Sequence, residues 1–311
     1  MNVRWLNESP ASSQLVGGKA YIISKLGMLG FATAAGFVIT VDAFELFLEA
    51  NGLANIFHGL SDYRSPSKLA NMLLRLEQGI EAATWPENLR ASIVPAYDKL
   101  GGPVTIRSSG VMEDSKISSF AGAYSSFLNR SGSHDVLRAV RECWKSGFSA
   151  RVAAYRLEHG LARSKWLMAV LVQRMVFAEK SGVIFTLDPF SNDNSMLIEA
   201  VLGGCDRLVA GRPADLRLRI DRGTRAVLSS EGQPAGSTHF GSGAAALLQG
   251  SPSPNPKLLR RAEIEQLIEL GLKVEQSIGE PQDIEWALAG GTLTVLQARS
   301  LTAYQRRSRS A

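Results

Sequence analysis

The 311-residue sequence has only two cysteines, Cys143 and Cys205, far apart and outside any Cys-x-x-Cys pair. That excludes a disulfide framework and offers no zinc-ribbon spacing. Histidine is scarce too. His58, His134 and His159 fall in or beside expected helices without a second ligand four residues on, and His239 lies in a Gly/Ser-rich stretch. No run approaches the roughly 18 apolar residues of a membrane span. The N-terminus, MNVRWLNESPASS, lacks the apolar core of a secretory signal, so a cytoplasmic chain without membrane contact is expected. Excess charge is small as well: the formal +5 falls to +2 without Arg306, Arg307 and Arg309 of the basic tail 304–311, which is expected to be disordered. With no basic stripe carrying interleaved aromatics, no nucleic-acid partner is expected. No Gly-x-Gly-x-x-Gly precedes a helix, and there is no internal repeat.

What is present is ordinary for a globular chain: 45% apolar and 20% charged residues. The first hundred residues read as mostly helical. An apolar stripe of Ile22, Ile23, Leu26 and Leu29 marks a helix over 18–30, and Thr40 with Asp42 opens a second that stops at Gly52. Ser65-Pro66 and Pro86-Glu87 start two more, ending near Ala83 and Leu100. Strand-like runs then dominate: 37–40, 103–107, 167–175, 182–188, 195–201 and 216–220, with helices at 134–147 and 149–159. Residues 230–256 read as a loop, 257–277 as one long helix, and QDIEWAL and LTVLQAR as a hairpin around Ala289-Gly290-Gly291. Helices and strands mix without strict alternation, so the expected class is α+β.

Four segments carry candidate chemistry. Gly17-Gly18-Lys19 opens a helix, where free N–H groups favour an anion, although a plain turn with a solvated lysine explains the same residues. Arg107 ends a strand and leads into RSSGVMEDSKISSFAGAYSS, a cation beside a Ser/Gly-rich loop, suited to bidentate phosphate recognition or to a structural role. In the closing hairpin, a three-residue turn at 289–291 would pair Leu288 with Thr292 and set Glu285 opposite Val295. Glu285, Gln297 and Arg299 would then share one face, with Ile284, Trp286, Leu288, Leu296 and Ala298 on the other. A two-residue turn would split the trio. A carboxylate and an amide oxygen are hard ligands for Mg²⁺, and a neighbouring arginine would meet phosphates; a solvated sheet face is the plainer alternative. Finally, Gln173-Arg174 interrupts the apolar run MAVLVQRMV, either at an edge or where a planar base satisfies buried polar groups.

Taken together, LVGGKAYIISKLGMLGF, GFVITVDAFELFL, VTIRSSGVMEDSKISSFAGAYSSFLN, VQRMV, SGVIFTLDP, PQDIEWA and LQARSLT resemble, in order and spacing, the N-terminal ATP-binding domain of the pyruvate phosphate dikinase, phosphoenolpyruvate synthase and rifampicin phosphotransferase family. The resemblance implies an ATP-grasp architecture over about 1–303, with a helical part to about 100, a lid and sheet part over about 101–220, and a closing helix and hairpin over about 257–300. It implies ATP and Mg²⁺ as cofactors. Lys19 resembles the phosphate-binding lysine and Arg107 the arginine that clamps the phosphates. Gly122 and Ser126 resemble members of the covering loop, Ser126 standing where relatives often have threonine. Gln173 matches the glutamine beside the adenine pocket, Glu285 and Gln297 the metal and phosphate ligands, and Arg299 the final arginine. Catalysis would rest on Lys19, Arg107 and Arg299, with the loop from Ser108 to Ser126 acting as a lid.

Some positions depart from the family pattern. Gly203-Gly204-Cys205-Asp206 stands where relatives have Gly-Leu-Gly-Glu, and Ala123 where they often have glutamine. His239 follows a threonine, as the family's phospho-acceptor histidine often does, but its surroundings lack that domain's pattern. The resemblance therefore implies an ATP-dependent phosphotransferase component that forms AMP and passes a phosphoryl group to a separate protein carrying the histidine and acceptor-substrate domains. The alternatives are a self-sufficient small-molecule kinase and a non-catalytic, nucleotide-responsive binding module.

Overall fold

The computed structural model describes residues 1–8, 11–63, 65–111, 124–191, 193–204, 208, 211–232 and 258–301, and the backbone alone of 114–115 and 118–119. Gly122, Ala123, Cys205, Asp206, His239 and the tail 304–311 lie outside the described residues. The chain divides into two compact units, Met1–Met175 and Val176–Ala311. That division falls inside the stretch 101–220 that the sequence reading treated as one part. Both units mix helices with antiparallel sheet, so the α+β class is observed.

The first unit runs β1 (Val3–Trp5), α1 (Ser13–Met28), β2 (Gly36–Ile39), α2 (Val41–Ala50), α3 (Ala54–His58), α4 (Pro66–Ala82) and α5 (Glu87–Leu100). It continues with β3 (Val104–Gly110), the two-residue strands β4 (Asp114–Ser115) and β5 (Ser118–Ser119), β6 (Ser126–Arg130), α6 (Ser133–Ser146), α7 (Ala150–Glu158) and β7 (Met168–Arg174). The expected caps are in place: Thr40 accepts from the Ala43 amide and Ser65 from that of Lys68, each satisfying a donor that the first helical turn leaves open. A five-stranded sheet, ordered β1-β2-β7-β3-β6, divides the unit's apolar residues. Phe37, Ile39, Val104, Ile106, Val170 and Val172 belong to a core filled by helical side chains, where Phe44, Phe47 and Trp85 gather round Trp144 at ring-centroid distances of 5.0–5.5 Å. The alternate residues of the same strands, Val38, Ala169 and Leu171, point to the other face. There α1 packs against β3 and β7.

One expectation needs correction. Ser108, Ser109 and Gly110 were read as loop; they are the end of β3, paired with Val170, Ala169 and Met168 of β7, and both serines are buried. Their polarity imitates a loop, but the serines are buried on opposite faces of the sheet, and α1 uses the hydroxyl of Ser109. The structure also adds the short strands β1, β4, β5 and β6 and, in the second unit, a strand over Val227–Gly232.

The second unit holds β8 (Lys180–Phe185), β9 (Ser195–Leu202), β10 (Leu216–Asp221), β11 (Val227–Gly232), α8 (Arg261–Ile278), β12 (Gln282–Ala289) and β13 (Thr292–Ser300). Its sheet is ordered β11-β10-β9-β8-β12-β13. Helix α8 lies on the apolar face formed by Ile184, Met196, Ile198, Leu218, Ile284 and Trp286. Gly271 permits that closeness, since a Cβ there would stand 3.0 Å from Met196 Cε and 3.1 Å from Ile184 Cγ2. At its start, the Glu263 carboxylate accepts from the Arg260 amide at 2.7 Å and from Lys180 Nζ at 2.7 Å, tying the first turn to β8.

The hairpin turn has two residues rather than three. Ala289 pairs with Thr292 across Gly290 (φ 55) and Gly291 (φ 77). Two successive positive φ values suit the tight turn whose twist matches its strands, which glycine enters without penalty. Such a turn alone would set Glu285 opposite Leu296. A bulge intervenes: Trp286 pairs with Val295 and Glu285 with Gln297, leaving Leu296 as the extra residue. The expected pairings of Leu288 with Thr292 and of Glu285 with Val295 are thus wrong, while the shared face of Glu285, Gln297 and Arg299 is right.

Candidate functional site

In the first unit, the sequence-selected residues collect on the α1 side of the sheet. Arg107 on β3 lies in register with Leu171 on β7 and with Ser126 on β6. Gln173 is flanked by Gly36 on β2 and Thr105 on β3, so Arg107, Ser126 and Gln173 share one face. Gln173 is 3% exposed, and its Nε2 has no hydrogen-bond partner among the described residues. Gly36 makes room for it, because a Cβ there would come within 3.2 Å of Gln173 Cγ and 2.3 Å of the Val172 carbonyl oxygen. Buried amide donors are nearly always satisfied, so this one marks a place where an acceptor is wanted. Its neighbour Arg174 is spent on structure, donating to the Leu100 carbonyl.

Lys19 reaches the same region through α1. Gly17 (φ 74, ψ 168) interrupts that helix, which resumes immediately before Lys19. The break fits against β3: the Ser109 hydroxyl accepts from the Ala20 amide at 3.1 Å and donates to the Val16 carbonyl at 2.8 Å. Ser109 is two residues beyond Arg107, on the same face. The structure therefore joins the lysine's turn to the arginine's strand. Lys19 itself is buried, at 8% exposure.

In the second unit, the hairpin bulge places Glu285 directly across from Gln297 and Asp283 directly across from Arg299. Since residues two apart on a strand share a face, all four side chains lie together. Arg299 donates through Nε at 2.8 Å and Nη2 at 2.6 Å to one oxygen, Oδ2, of Asp283. Asp283 is buried, which strengthens the pair relative to a surface contact. Gln297 is also buried, and its Oε1 has no partner among the described residues. An unsatisfied amide oxygen facing a carboxylate is a donor set of hard oxygens, which fits Mg²⁺. Among the described residues there is no cluster of three or more His, Cys, Asp or Glu side chains that could hold a metal, so protein ligands here would number few and be completed by phosphate oxygens or water.

Sequence reasoning missed Asp283. The signal was present: it stands two residues before Glu285 in QDIEWA and therefore on the same face, but its partner could be found only once the register was known. Gly122 of the expected covering loop lies outside the described residues. No described helix is long and apolar enough to cross a membrane.

Comparison with known proteins bears on these two clusters. Residues 13–311 match the family described as "Pyruvate phosphate dikinase, AMP/ATP-binding domain". The chain belongs to that family. A relative named "Probable phosphoenolpyruvate synthase" from Methanocaldococcus jannaschii is 32% identical over 96% of this chain and 26% of its own length. A "Rifampicin phosphotransferase" from Bacillus subtilis is 28% identical over 93% of this chain and 34% of its own. Against the first three curated relatives the chain spans 26%, 44% and 43% of their lengths. Among solved structures, a D-alanine-D-alanine ligase from Helicobacter pylori aligns over 76% of this chain and 55% of its own, at 9% identity and a TM-score of 0.32, too slight a likeness to inform the site. Within the AMP/ATP-binding domain family match fall Lys19, Arg107, Ser126, Gln173, Asp283, Glu285, Gln297 and Arg299.

Proposed function

We propose that this chain is the Mg-ATP-binding component of a dikinase-like phosphotransfer system with an ATP-grasp arrangement of its nucleotide-binding residues. In this reading it cleaves ATP to AMP, the β-phosphoryl group going to a histidine on a separate partner and the γ-phosphoryl group to water, phosphate or another acceptor; the partner also brings the acceptor-substrate domain. The observation that carries the reading is that two buried amide atoms without a partner among the described residues, Gln173 Nε2 and Gln297 Oε1, are each set among the charged residues expected of a nucleotide site. One is a donor suited to a base edge. The other is an acceptor suited to a hard cation, and the family match spans both.

Lys19 and Arg107 bind the phosphates, Arg107 through a planar fork and Lys19 as a point charge. Ser126, opposite Arg107, adds a hydroxyl. Gln173 bonds the adenine edge. Glu285 and Gln297 would hold Mg²⁺, which when bound supplies charge neutralisation at the phosphate oxygens. Arg299, oriented by Asp283, meets charge that develops during transfer. Fixed charges of this kind do most of the work in phosphoryl transfer, where the protein positions and stabilises rather than bonds. The relatives' names point to different acceptors, and the reading takes the ATP half-reaction that precedes acceptor choice.

Titration calorimetry with ATP and Mg²⁺ tests the reading. Saturable binding that disappears without the metal is expected. No heat with ATP at any Mg²⁺ concentration would overturn it.

A further inference from the structure

We infer that Ser109 is an N-cap supplied from a strand to the helix that carries Lys19, and that it positions this lysine against the strand of Arg107. The inference rests on the reading of Lys19 as a phosphate-binding residue. The span Ser13–Met28 is two helical pieces, because Gly17 has φ 74 and ψ 168. Taking Gly17 as the N-cap of the second piece makes Gly18, Lys19 and Ala20 its first three helical residues. An N-cap side chain ordinarily accepts from the amide two or three residues on. Gly17 has no side chain with which to do so.

Ser109 performs that task from 89 residues away. Its Oγ accepts from Ala20, the third helical position, at 3.1 Å. The same hydroxyl donates to the carbonyl of Val16, just before the break, at 2.8 Å. No side chain at position 17 could replace it. A Cβ there would lie 1.8 Å from the Ser109 carbonyl oxygen and 2.4 Å from its Oγ, and the positive φ already disfavours any residue but glycine. Ser109 is 0% exposed, so water cannot take over either bond. One hydroxyl thus fixes the backbone on both sides of Gly17-Gly18-Lys19, from a strand position two residues past Arg107. Ser109 touches no nucleotide in this scheme. It is a positioning residue that acts through Lys19.

A double-mutant cycle on Mg-ATP affinity separates this role from general stability. Ser109→Ala is expected to raise the Kd about fivefold, the scale of a lost cap, while Lys19→Met raises it more. In the Lys19→Met background, Ser109→Ala should change the Kd by less than about twofold, because the residue it positions is gone. A full effect there would overturn the inference while leaving Lys19 in the site. An unchanged Kd in Lys19→Met would overturn the phosphate-binding reading and this inference with it. Amide hydrogen exchange on the unaltered protein gives a second check that needs no variant: the Ala20 amide should be strongly protected, and exchange at the unfolded rate would contradict the cap.

Discussion

Arg299 rests two of its nitrogens on a single oxygen of Asp283, its cross-strand partner in the closing hairpin. The acid holds the guanidinium plane in place, and in the proposed reading that fixed plane is what meets a phosphate. An ammonium cannot reproduce this, since it offers one charge point on a flexible stem. Arg299→Lys should therefore lower phosphotransfer by about a hundredfold, in the range for losing one preorganised donor. The circular dichroism and melting curve should change little. Transfer at the wild-type rate would show that Arg299 is a structural partner of Asp283 alone.

Gln173 sets stability against function. Its Nε2 is buried without a partner among the described residues, and an unsatisfied buried donor costs roughly 1–3 kcal/mol. Gln173→Met keeps the length and removes the donor. The free protein should melt at the same temperature or higher, while ATP affinity falls. Differential scanning calorimetry and ATP titration on one sample decide it. A lower melting temperature would mean that the amide already serves the free fold.

How far the sequence revealed this site depends on the element. Helix starts at Thr40 and Ser65 were legible because capping is local, and that at Pro86 because proline favours a helix start. The face shared by Glu285, Gln297 and Arg299 was reached through a wrong register: the two-residue turn shifts the pairing by one, and the bulge at Leu296 shifts it by one more, which restores the facing but not the pairs. A bulge leaves no sequence mark beyond one apolar residue out of step. Ser109 looked like loop because its burial depends on α1, nearly ninety residues earlier, and Ser108 because it is covered on the opposite face of the sheet. Asp283 went unnoticed since nothing in QDIEWA distinguishes it from a solvated acid until Arg299 stands opposite. Local chemistry was readable, whereas pairing across the chain required coordinates.

Glu263 offers a stability signature in the second unit. Burial alone would raise the pKa of this carboxyl, but hydrogen bonds from Lys180 and from the Arg260 amide and side chain bring it down to about 2 from 4.5. A depressed carboxyl stabilises the folded state above its unfolded pKa, and that contribution is lost as the pH falls through the folded one. Wild type should exceed Glu263→Gln in unfolding free energy by a constant margin above about pH 4.5. The margin should shrink steadily towards about pH 2. Urea titrations of both proteins across that window measure it, and a margin independent of pH would exclude the ion pair as its source.

The final prediction concerns what the nucleotide clamp needs in order to turn over. In the proposed reading Lys19, Arg107 and Arg299 polarise a phosphate chain, but transfer also requires a nucleophile held in line with it. Among the described residues, His134 and His159 sit at the ends of α6 and α7, and His58 ends α3. None lies on the strands that carry the candidate nucleotide-binding residues. Among the described residues that leaves water as the nucleophile, and unpositioned water gains little from electrostatic stabilisation. A covalent carrier divides the transfer into two easier steps, which is the advantage a partner's histidine would bring. The 311-residue protein with Mg-ATP should therefore form AMP slowly or not at all. Adding a protein that bears the histidine domain should accelerate AMP release and leave acid-labile phosphate on that protein. Chromatography of the nucleotides and acid treatment of the labelled partner read out both effects. Rapid AMP formation with a phosphorylated small molecule and no second protein would instead establish a self-sufficient kinase.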